Sequence, residues 1–71
     1  MSETINMKMA NKTLVVRIGD TLSVSICGEL LEGVVSDYGH HGSQFVIDLV
    51  CGGENRFCYP RQILAINGVN V

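Results

Sequence analysis

Between two glycine turns, Gly19-Asp20 and Gly28-Glu29, the chain alternates without a break, with Leu22, Val24 and Ile26 on one side and Thr21, Ser23 and Ser25 on the other. A period of two fits a half-buried strand and excludes a helix, whose apolar residues recur at intervals of three and four. The other apolar runs are of the same short scale. Leu14-Val15-Val16-Arg17-Ile18 has extended character before Gly19-Asp20 supplies turn chemistry. Residues 31–38 read as a second strand, whose Gly33 permits either a bulge or the close approach of another backbone. Gly39-His40-His41-Gly42-Ser43 reads as a loop, and residues 44–50 (QFVIDLV) as the strongest strand in the chain. Gly52-Gly53-Glu54-Asn55 then turns the chain into Arg56-Phe57-Cys58-Tyr59 as a hairpin.

Pro60 has no N–H, and it biases Tyr59 away from helical backbone. Pro60-Arg61-Gln62-Ile63 is therefore expected to make one short 3₁₀ turn, with Leu64-Ala65-Ile66-Asn67 as the last strand. No ten-residue stretch carries a helical stripe. The pattern predicts an all-β domain over residues 13–71, a small five-stranded closed barrel with a short 3₁₀ turn before the last strand, because closure removes exposed edges. Residues 1–12, MSETINMKMANK, lack the apolar centre of a signal peptide and read as a flexible N-terminal leader.

At 71 residues there is room for one modest core, and chains of this size bury only about 60% of their unfolded surface. An apolar fraction of 46% against 17% charged residues places the chain among sequences that fold. A barrel this small struggles to bury so much apolar surface internally, which favours an interface. The formal net charge is -2, and the five basic residues, Lys8, Lys12, Arg17, Arg56 and Arg61, are scattered, so nothing in the sequence provides the clustered cations that grip nucleic acid. No apolar run approaches the roughly 20 residues that cross a bilayer. Three cysteines cannot make a complete disulfide framework, and with no secretory signal the expected setting is a reducing cytoplasm.

Gly19-Asp20, the run 28–33 (GELLEG), the central apolar strand, Tyr59-Pro60 and the closing Ile66-Asn67 together resemble the SH3-like barrels over residues 17–67. Within that group the chain resembles the plasmid-borne type II (B-type) dihydrofolate reductases, short SH3-like chains that form tetramers around one pore. Gly19-Asp20, the Gly28 to Gly33 segment and Tyr59-Pro60 with Ile66-Asn67 carry that likeness. The resemblance implies that Arg56, Phe57, Cys58 and Tyr59 stand where the family keeps a Val-Gln-Ile-Tyr tetrad, and only the tyrosine is retained. Its pore lysine falls on Val24 or Ser25, neither of which carries charge. NADPH is expected as a cofactor only if the chain is such an enzyme; otherwise no cofactor is expected.

His40-His41, Cys51 and Cys58 have the donor types of a zinc site but none of its ligand spacing, so no metal is expected. A cysteine nucleophile needs a base beside it and an electropositive setting, which no spacing here supplies. The carboxylates Glu29, Glu32, Asp37, Asp48 and Glu54 sit near strand ends, where solvated turn charges explain them. No phosphate-binding glycine motif is present. No catalytic residue is therefore predicted.

The aromatic residues are Tyr38, Phe45, Phe57 and Tyr59. By alternation Phe45, Ile47 and Leu49 share one face, while Phe57 and Tyr59 share another with Cys58 opposite. One of those sets belongs to the core and the other to a surface. The ligand surface of SH3-like barrels draws on loop aromatics and on the residues around the 3₁₀ turn, so the resemblance implies Tyr38, Tyr59, Pro60 and Arg61; with His40, His41, Arg56 and Phe57 these are the candidate binding residues, and aromatic and arginine side chains also dominate interface energetics. The function expected on this basis is a small cytoplasmic, non-catalytic binding or adaptor protein that pairs with a protein partner or with itself. A free-standing chain of this size suits a phage or mobile-element accessory protein. The alternatives are a tetrameric reductase of dihydrofolate and a weak nucleic-acid-binding module.

Overall fold

The computed structural model describes residues 4–9 and 12–71. Eight strands and no α-helix occur among them: β1 (Thr4–Met9), β2 (Lys12–Arg17), β3 (Thr21–Ile26), β4 (Glu29–His41), β5 (Gln44–Cys51), β6 (Glu54–Cys58), β7 (Ile63–Ile66) and β8 (Val69–Asn70). The expected 3₁₀ turn lies at Pro60–Gln62, with Pro60 in the first turn, where its missing N–H costs nothing. It precedes β7 rather than the final strand, because Asn67-Gly68 turns the chain once more into β8. No helix among the described residues is long and apolar enough to cross a membrane.

Turn chemistry explains why so many short strands lie side by side. Cys27-Gly28, Gly52-Gly53 and Asn67-Gly68 each have positive φ at both central positions, the type I′ geometry whose twist matches that of paired strands. Each therefore joins consecutive antiparallel strands with a two-residue connection: β3 to β4, β5 to β6, and β7 to β8. Asn67 is held in place by tertiary bonds as well. Its Oδ1 accepts the Thr21 N–H at 3.0 Å, and its own N–H donates to the Thr21 carbonyl at 2.7 Å.

The strands form two open sheets, not a closed five-stranded barrel. One is the β1–β2 hairpin, and the other has six strands in the order β6-β5-β4-β3-β7-β8. Among the described residues no ladder links the end strands β6 and β8, and backbone hydrogen bonds tie the hairpin to the larger sheet at its exit turn. There Gly19 N–H donates to the Val35 carbonyl and Val35 N–H to the Asp20 carbonyl, both at 2.9 Å, while Asp20 Oδ2 accepts the Arg17 N–H. Free edges are costly, and at one end the larger sheet limits that cost with β8, a strand of only two residues.

The core forms between these sheets. Leu22 and Val24 from β3, Val35 from β4, Ile47 and Leu49 from β5, Cys58 from β6 and Ile63 from β7 pack with Ile5, Met7, Leu14 and Val16 of the hairpin. Thr4–Met9 is therefore part of the fold, where the sequence had read a leader; the rest of that segment, residues 1–3, 10 and 11, lies outside the described residues. Ile5 and Met7 alternate with Asn6 and Lys8, and pairing with Val16 and Leu14 places all four apolar residues on the buried side.

Of the two roles open to Gly33, the structure shows close approach. A Cβ built there would lie 2.5 Å from Cys51 Sγ and 3.0 Å from the Val50 carbonyl oxygen. The bulge occurs three residues later, where the β4–β5 register shifts between Val35 and Asp37.

Candidate binding surface

That bulge decides which face each later residue of β4 presents. Inserting Ser36 reverses the alternation. Tyr38 and His40 are thereby paired with Ile47 and Phe45 on the core side, and Asp37, Gly39 and His41 fall on the outer face. Residues 39–41, expected as loop, are strand, and only Gly42-Ser43 turns. Adjacent strand residues point to opposite faces, so the two histidines diverge.

The first histidine is exposed and packs on Phe45, which borders the core. Its ring meets Phe45 edge-on at 5.3 Å, and Tyr38 lies 6.0 Å from the same phenylalanine. His40, Phe45 and Pro60 line an open cleft of about 340 Å³ with Asn6, Met7 and Lys8 of β1.

On the outer face His41 stacks on Phe57 at 6.3 Å, with 30° between ring planes. These residues belong to β4 and β6, which flank β5, so the ring pair bridges the strand between them. Val46 lies beneath. His41 pairs with Gln44 and Phe57 with Asp48, which makes Val46 the diagonal neighbour of both rings on the same face. Val46 is only 1% exposed although it is not a member of the main core cluster, and this aromatic cover accounts for its burial.

The strip continues beyond Phe57. Tyr59 meets Phe57 edge-to-face at 6.0 Å, and the Arg61 guanidinium lies 4.7 Å from the Tyr59 ring centroid, within cation–π range. The 3₁₀ turn positions both ends of this contact. Tyr59 N–H donates to Gln62 Oε1, and Gln62 N–H donates to the Tyr59 carbonyl, each at 2.9 Å. Phe57 remains 50% exposed at the centre of the strip.

Arg56 points away from that face and pairs loosely with Glu54 at 3.9 Å, an exposed contact worth little to stability. Arg56, Phe57, Tyr59 and Gln62 line an open cleft of about 540 Å³ that reaches Ile26 and Cys27 at the β3–β4 turn. Cys58 is fully buried. Burial, then the neighbouring Cys51 and Asp48, pushes its thiol up to about 11, so at neutral pH it is a protonated core residue and a poor nucleophile.

The eight candidate residues thus separate. His41, Phe57, Tyr59 and Arg61 form one continuous strip, Arg56 lies on the strand edge beside it, and Tyr38 and His40 lie on the other face of the sheet, where His40 and Pro60 line the cleft against β1. Val46 and Phe45 were missed as organising residues. Their signal is the alternation of β5, but the end of the partner strand that they pair with, residues 39–41, reads as a loop in the sequence. A comparison with known proteins returned no matching family model, no similar curated protein and no similar solved structure.

Proposed function

We propose that this chain is a non-catalytic binding protein of SH3-like character that engages protein surfaces through β6 and the aromatic strip beside it. The observation that carries this reading is the placement of Phe57: half exposed, flanked by His41 and Tyr59, on an end strand of the larger sheet. Preordered aromatic rings with an arginine at their margin supply contact area at low entropic cost, and these residue types dominate interface energetics. The apolar character continues along the same face through the paired Val34 and Val50 to Leu30, which is 75% exposed.

Sedimentation equilibrium over a wide concentration range, followed by affinity capture with the purified chain as bait, tests the reading. Self-association or specific capture that Phe57→Ser weakens at least tenfold, with the circular dichroism spectrum unchanged, is the expected result. Wild type and Phe57→Ser chains that behave identically in both assays would overturn it.

A further inference from the structure

We propose that the partner of β6 is a second copy of this chain, joined by antiparallel β6–β6 pairing with Asn55 of each copy on the two-fold axis. The inference rests on the binding reading above and specifies its occupant and register.

β6 ends the six-stranded sheet, and its residues Glu54 to Phe57 are exposed. The two-residue turn before it closes on Cys51 and Glu54 as a hydrogen-bonded pair. Antiparallel alternation then makes Leu49–Arg56 and Ile47–Cys58 the next bonded pairs. The N–H and C=O groups of Asn55 and Phe57 are left facing outward, away from β5.

A second strand must use those outward groups, which leaves two-fold registers centred on Glu54, Asn55, Arg56 or Phe57. Centring on Glu54 or on Arg56 sets two like charges directly opposite each other, a destabilising pair. Centring on Phe57 requires Asn55 to exchange hydrogen bonds with Tyr59, whose N–H and C=O are already bonded to Gln62. Centring on Asn55 has neither fault. Asn55 then pairs with Asn55 through free backbone groups, and Phe57 comes opposite Gly53 of the turn. Glu54 faces Arg56 of the other copy, twice, at the closely spaced non-hydrogen-bonded positions. Charge complementarity therefore selects this register. Both side chains have room to turn toward the other copy, since they are 75% and 42% exposed and their contact within one chain is already long at 3.9 Å. Each Phe57 ring would also cover a glycine, the arrangement that compensates for a missing side chain at a sheet edge.

Glu54→Arg, Arg56→Glu and the double swap Glu54→Arg/Arg56→Glu provide the test. Glu54→Arg opposes two pairs of cations and Arg56→Glu two pairs of anions, so each alone should weaken dimerisation about tenfold or more in sedimentation equilibrium. The double swap should restore it. Mixing Glu54→Arg with Arg56→Glu should form a heterodimer of near wild-type affinity, because both facing pairs again have opposite sign. Amide hydrogen exchange should show Asn55 gaining protection as the wild type dimerises. A wild-type dimer that is indifferent to all three substitutions would overturn this interface while leaving the binding reading intact. A wild type that stays monomeric would overturn the second copy as occupant and leave the β6 edge to strands of other proteins.

Discussion

Cys58 and Phe57 are neighbours in sequence and opposites in environment. Cys58 is buried, and its thiol is raised from 9.0 to about 11; Phe57 is half exposed on the outer face. Because the folded-state value exceeds that of the unfolded chain, the stabilisation is fully present below pH 9. As pH rises from about 9 to 11 the unfolded thiol ionises first, and stability should fall by on the order of 2 kcal/mol, then level off. Denaturant titrations at pH 7 and pH 11 on the wild type and Cys58→Ala would check this, with a smaller loss expected in the variant. The same pair shows what single residues revealed. Alternation placed Cys58 opposite Phe57 and Tyr59, and the structure agrees. Which side is core depends on how β5 faces the β1–β2 hairpin, a relation between segments distant in the chain that no local pattern contains.

For whole strands, legibility followed turn chemistry. Thr21–Ile26 was recognised to the residue, since alternation and flanking glycines gave the same answer. β4 was not, because the glycines at 39 and 42 bracket two histidines and look like a loop. Only pairing with β5 draws Gly39 to His41 into the strand, and the Ser36 bulge then sends His41 to the outer face and His40 to the core side. Cys27 illustrates the other side of turn chemistry. It holds a φ of +51°, which favours Asn or Gly over a residue such as cysteine. Cys27→Asn should therefore stabilise the fold by about 0.5–1 kcal/mol, read as a higher denaturation midpoint at unchanged m-value.

At the scale of the molecule, the β1–β2 hairpin is the element that completes the core. Ile5 and Met7 read as part of a leader because apolar residues scattered among polar neighbours make a weak local signal, yet both are 5% exposed. Ile5→Ala should cost about 2–4 kcal/mol in equilibrium unfolding, a large share of the stability of so small a domain, whereas a true leader position would show almost no change. The sequence by itself determined the all-β class, the 3₁₀ turn at Pro60, the main strands and most turn sites, because period, glycine and proline act within a few residues. The tertiary structure alone decided that the sheets stay open, that Ile5 and Met7 are core, and that His41, Phe57, Tyr59 and Arg61 meet. Those outcomes depend on register, bulge placement and which surface covers which, and such choices are made between segments distant in the chain.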